Sequence, residues 1–236
     1  MRTRIVAAVA IEVTYAVLTR AWLPQYMQGA TLELGISAFR LATAGAYWLL
    51  FRDVILSRPA NSKLLLSPLL FAGTAIALSI PILFRGGSPG GGVGTALLFA
   101  ATSIIVGLRE ELLYLAVLIN LLQPRVGILG AIAVSTLLFL IYHYGALPLA
   151  PLPAVEVVCM SLLLGVVYTC SGSLVFVVAL HSLYDAIWAL GPHMAVPVPD
   201  VWRPVFLVTA LTLVVIWARH LPGNFRSSAP LKSRRL

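Results

Sequence analysis

Apolar runs of membrane-crossing length follow one another along almost the whole of this chain, and they leave little choice of architecture. A backbone in hydrocarbon must satisfy its own polar groups, which a helix does within a single segment. Eight stretches are long enough to cross roughly 30 Å of hydrocarbon: 4–23, 36–56, 64–84, 95–122, 126–146, 154–170, 173–191 and 204–220. The sixth and seventh are parted only by Ser171-Gly172, which reads as a tight turn between antiparallel helices. The expected fold is an all-α polytopic transmembrane helix bundle of about eight spans. Seven spans, or six with re-entrant segments, are the alternatives.

Composition agrees. Of 236 residues, 60% are hydrophobic and only 10% charged, against about 25% charged in soluble domains. The net charge of +8 gathers at chain ends and short loops. It therefore reads as topology and contact with anionic lipid, and nucleic-acid binding is excluded because no basic face with aromatic or polar readers accompanies it. Counting Lys and Arg by side places both termini in the cytoplasm, with Arg20, Arg40, Arg85 and Arg203 opposite. The expected organisation is one transmembrane domain over 1–220, with a motif core at 95–190, and a basic cytoplasmic tail over 221–236, NFRSSAPLKSRRL being polar and without apolar pattern.

Ala8-Val9-Ala10 resembles a signal-peptide cleavage site, but the apolar run before it is too short, so an uncleaved first helix is expected. Breakers sit at Pro24, Arg58-Pro59, Gln123-Pro124-Arg125, Pro148 through Pro153, and Gly191-Pro192. The run from Gly86 to Gly92 lacks the Lys-Ser/Thr ending of a phosphate-binding loop and reads as a flexible connection. Cys159 and Cys170 lie eleven residues apart on one apolar stretch, about 16 Å along a helix, so they cannot bond to each other.

Against this background a few ionisable residues stand out. Arg109, Glu110 and Glu111 interrupt the fourth stretch, His143 closes the fifth, and His181 and Asp185 lie in the seventh. A charge at the bilayer centre costs a few kcal/mol or more, so such residues face the bundle interior and mark function. Adjacent on a helix, Glu110 and Glu111 diverge by about 100° and cannot share one role. His181 and Asp185, four apart, fall on one helix face. A glutamate and a histidine sharing a water can act as general base and orienting partner. A second polar pair can then steady the oxyanion of an attacked carbonyl. Those are the parts needed to hydrolyse a peptide bond without a serine or cysteine nucleophile.

The same residues resemble the motifs of the CAAX-protease and bacteriocin-processing (CPBP, or Abi) family of intramembrane endopeptidases. The family's Glu-Glu-x-x-x-Arg is matched at Glu110 and Glu111, its Phe-x-x-x-His at Phe139 and His143, and its His-x-x-x-Asn/Asp at His181 and Asp185. The order agrees, and the resemblance covers roughly residues 95 to 190. It implies the CAAX endopeptidase core as fold and a prokaryotic plasma membrane as location. The implied substrate is a membrane-anchored polypeptide: a prenylated CAAX tail, a bacteriocin leader or a sorting tail. It further implies Glu110 as the base with His143 sharing its water, His181 and Asp185 on the oxyanion side, and Glu111 in support. No cofactor is expected. If zinc is used, Glu110, His143 and His181 would be its ligands, although no His-Glu-x-x-His occurs.

One departure matters. Leu115 stands where the motif has arginine, and Ala116 where glycine usually follows. Glu111 then needs another partner, and Arg40 from another helix is the better candidate than Arg109, which faces elsewhere. A catalytically inactive membrane scaffold is one alternative that Leu115 raises. A proton-coupled carrier is another, since glutamate and histidine also build proton relays, though no internal repeat supports a transporter of the inverted-repeat kind.

The remaining polar residues carry blander expectations. Glu12 and Glu156 read as packing or interfacial, and so do His193 and His220. Trp22, Trp48, Trp188, Trp202 and Trp217 read as an aromatic belt. Heights counted from the span starts place Glu110, His143 and Asp185 at different depths, so tilted or broken helices are needed for them to meet.

Overall fold

The computed structural model describes residues 2–58, 68–84, 92–143, 151–194 and 199–221. Among them every regular element is a helix: α1 (Arg2–Ala16), α2 (Gly29–Ile55), α3 (Pro68–Leu83), α4 (Val93–Glu111), α5 (Asn120–His143), α6 (Pro151–Ser171), α7 (Leu174–Met194) and α8 (Pro199–Ala218). Wider π-helical turns prolong α1 through Val17–Trp22 and α4 through Leu112–Ile119. Helices thus occur at all eight expected stretches. Five stretches have the length and apolarity to cross a membrane: Thr3–Tyr26, Gly29–Ile55, Val93–His143, Pro153–Ser171 and Val201–Ala218. Leu70–Leu83 and Leu174–Leu190 are apolar but shorter. The chain is an integral membrane protein. Most of the glycine run, residues 144–150 and the tail from 222 onward lie outside the described residues.

The stretch Val93–His143 is not one rod. Ser135 donates a hydrogen bond to the Tyr114 carbonyl at 2.5 Å across 21 residues, a separation that a straight helix would stretch to about 31 Å. The chain doubles back at Gly127, whose φ of 72° and ψ of 174° suit glycine alone. The expected break at Gln123-Pro124-Arg125 therefore falls slightly later. Pro124 removes one amide donor, but only Gly127 can take the backbone through the reversal.

α2 starts at Gly29, earlier than the expected residue 36, and so carries Glu33 and Arg40 inside the helix. Arg40 was expected among the charges of one membrane side; instead its Nη1 meets Glu33 Oε1 at 2.9 Å, two turns away. Thr102 of α4 donates to the same carboxyl at 2.9 Å. Mutual neutralisation lets both charges enter an apolar helix.

α4 packs most extensively on α7, α5 on the π segment that follows α4, and α6 on α5 and α8. Leu112–Ile119 and the α6 residues Leu163, Leu164, Val167 and Tyr168 form the centre of the apolar core. The outer faces stay apolar, as Leu49, Val175 and Val208 show. Buried hydroxyls turn back on their own helix, Thr19 to Tyr15 O and Thr74 to Leu70 O, each at 2.7 Å. Cys159 and Cys170 are buried and form no disulfide, as expected.

Two tryptophans depart from the aromatic belt. Trp202 and Trp217 are buried, whereas Trp22, Trp48 and Trp188 keep an exposed face. The Trp217 indole N–H donates to Thr74 Oγ1 at 3.0 Å, which removes the need for interfacial water and ties α8 to α3.

Replacing Gly127 with alanine forces a side chain into this backbone region at a cost of about 1–3 kcal/mol. The detergent-solubilised variant is expected to unfold at lower temperature in a tryptophan-fluorescence melt, whereas Gly45→Ala, at an ordinary helical position with open space around it, is expected to melt like the parent.

Candidate active site

The site begins with a close approach. A Cβ on Gly107 would lie 2.8 Å from Ser182 Oγ and 3.3 Å from the Val178 carbonyl, so only glycine lets α4 and α7 touch here. One turn further along α4, that proximity brings Glu111 to His181. Glu111 Oε1 accepts from His181 Nδ1 at 2.5 Å, with both side chains almost fully buried. The other ring nitrogen, Nε2, lies 3.6 Å from Asp185 Oδ2 one helical turn away. The imidazole is thus held between two carboxyls. A carboxylate can only accept, so Nδ1 carries a proton, while Nε2 and Asp185 stand just beyond direct hydrogen-bond distance.

This corrects the partner expected for Glu111. Arg40 pairs with Glu33, and its positive charge acts on Glu110. Leu115, in the slot of the motif arginine, is buried in the apolar core. It also lies in the π segment, where the i,i+4 relation of a regular helix no longer holds. His181 of α7 supplies what the chain lacks at 115.

His143 ends α5. Its Nδ1 lies 2.9 Å from the Phe139 carbonyl, and since a carbonyl cannot donate, this nitrogen is the N–H. In the neutral ring Nε2 is then left with the free lone pair. Phe139 stands between the two imidazoles, its ring centroid 4.3 Å from that of His143 and 6.4 Å from that of His181. His143, His181 and Asp185 line one cavity of about 420 Å³, together with Phe99, Tyr184, Trp188 and Trp202. Glu156 and Arg203 also line it and pair with each other at 2.7 Å.

Glu110 is buried but does not wall the cavity. Its charge nonetheless acts on His181, Asp185, Arg40 and Arg109. Asp185 itself feels His181, Glu110, His143 and Arg40. His143, His181 and Asp185, from two helices, thus meet at one cavity, with Glu111 from a third bonded to His181. Among the described residues no three His, Cys, Asp or Glu side chains are grouped to hold a metal ion. One nitrogen of each imidazole is engaged, His143 Nδ1 with the Phe139 carbonyl and His181 Nδ1 with Glu111.

Arg109 does face elsewhere. Fully buried, it forms an ion pair with Glu12 of α1, and Tyr47 of α2 donates to the same carboxyl. Glu12 is thus a packing residue, as expected. Glu156 has a larger part, on the cavity wall. The aromatic wall from α7 and α8 was not foreseen either; Trp188 and Trp202 looked interfacial because only their positions near span ends were visible.

A comparison with protein-family models matches residues 92–187 to the Rce1-like family, type II CAAX prenyl endopeptidase Rce1-like. That segment, which holds all three motifs, is thus similar to a family of CAAX prenyl endopeptidases. No curated protein and no solved structure matches the chain.

Removing the Glu111 carboxyl strands the His181 N–H inside the bundle, a loss of about 1–3 kcal/mol. Glu111→Ala is expected to lower the melting temperature in detergent, with Glu111→Gln, which still offers an acceptor oxygen, recovering part of the loss.

Proposed function

We propose that this protein is an intramembrane endopeptidase that hydrolyses a peptide bond of a membrane-anchored polypeptide. The observation that carries the reading is the meeting of His143, His181 and Asp185 around one cavity, with the charge of Glu110 acting on the same cluster. The family match supports it, and the aromatic walls suit an extended apolar segment entering from the lipid.

In this reading a water oxygen attacks the scissile carbonyl carbon while its proton passes to Glu110, with His143 Nε2 sharing the water. The negative charge that grows on the carbonyl oxygen is met by a proton on the His181–Asp185 pair. Collapse of the tetrahedral intermediate breaks the C–N bond, and the departing nitrogen takes the proton back from the base. Glu111 fixes His181 in the tautomer this requires. The Asp185 variant of the motif works because the proton, once shared with His181, can be offered as an asparagine N–H would be. No step calls for a metal. The Lys and Arg distribution supports cytoplasmic termini.

Leu115 is the observation that favours a second reading, a catalytically silent scaffold of the same family. Purified protein in liposomes, incubated with anchored peptides, separates the two. The protease reading expects cleavage, reduced about 10²–10⁴-fold by Glu110→Gln or His143→Ala, the range a positioned acid–base group contributes. It also expects cleavage to survive exhaustive chelation with EDTA and 1,10-phenanthroline. A wild type that cuts nothing, beside a Leu115→Arg variant that cuts, would establish the scaffold. Cleavage undiminished in both site variants would remove the catalytic assignment.

A further inference from the structure

His143 lies in the last described turn of α5, and its own side-chain bond runs only to the preceding turn. A group asked to share a water with a base needs firmer placement than that. The structure supplies it through Tyr142. The Tyr142 ring meets the His143 imidazole edge to face, with centroids 5.0 Å apart and planes at 88°.

Two guanidinium groups in turn hold Tyr142. Arg109 lies 4.8 Å from its ring centroid and Arg20 4.9 Å. Arg20 Nη2 also donates to the Tyr142 main-chain carbonyl at 2.5 Å. Both arginines owe their positions to the first helix. Glu12 of α1 pairs with Arg109, the Tyr15 ring lies 4.1 Å from the Arg109 guanidinium, and Arg20 is carried on the π turn that continues α1. Away from bulk water such cation–ring contacts are at their strongest.

We propose that Tyr142 is the positioning residue for His143, clamped by Arg109 and Arg20, so that α1, which lies outside the family-matched segment, is a working part of the site. Tyr142 touches no reacting atom; it acts through the imidazole. The inference rests on the protease reading for its catalytic consequence, but the placement of the imidazole can be measured apart from cleavage.

Kinetics in liposomes form one arm. Tyr142→Leu, which removes the ring, is expected to lower kcat about 10–100-fold with KM nearly unchanged, the scale of effect that slight misplacement of a catalytic group produces. Tyr142→Phe keeps the ring and is expected to retain most of kcat. Leu at wild-type kcat, or Phe as damaged as Leu, would overturn the proposal. The second arm follows the His143 ring signal by NMR in protein labelled with ¹³C-histidine, assigned by its loss in His143→Gln. Arg20→Leu leaves the tyrosine in place and alters a side chain on the outside of the bundle. It is expected to broaden and shift the His143 signal while the His181 signal stays put. An unmoved His143 signal would refute the clamp. A wild type without protease activity would defeat the protease reading alone, since the NMR arm still decides whether the clamp exists.

Discussion

Every charge placed inside this bundle has to be met by a group from another turn or another helix, and the architecture is set by that demand. Water is not there to solvate a lone carboxylate or guanidinium, and the cost of leaving one unpaired is several kcal/mol. The pairs are therefore also joints. Glu111 with His181 fixes α4 to α7, Glu12 with Arg109 fixes α1 to α4, and Glu33 with Thr102 fixes α2 to α4. Since apolar side chains gain little by leaving lipid for protein, these polar contacts and the tight approach at Gly107 set which helices are neighbours.

The segment after the two glutamates shows how local geometry serves the same end. A π turn widens the helix over Leu112–Ile119 and rotates the downstream residues relative to Glu110 and Glu111. All of it except Leu118 is buried, so the segment is a hub on which α2, α5 and α6 pack. With Leu115 inside that hub, an arginine there would have to be accommodated in apolar core. The chain has instead placed the partner of Glu111 on α7.

Much of this was readable from the sequence. The eight apolar stretches announced the eight helices because their length and continuity leave few other structures possible. The three motif pairs announced the cluster because acidic and imidazole side chains within such stretches are too costly to be incidental. What could not be read was anything set by contact between distant segments. Gly127 turns the chain through a backbone conformation that no residue pattern around it announces. Arg40 looked like a charge at a membrane face until Glu33 was found two turns away, and Trp202 and Trp217 looked interfacial because burial is invisible without their neighbours. Tyr142 was adjacent to a singled-out histidine, yet nothing in the pattern says that two arginines flank its ring.

The pairing of Glu12 with Arg109 has a consequence for biogenesis. The two residues are separated by 97 positions along the chain. The ribosome therefore delivers the acid long before the base exists to receive it. During that interval the first helix carries a carboxyl whose partner has yet to be made, and its final seat is complete only once the fourth helix has arrived.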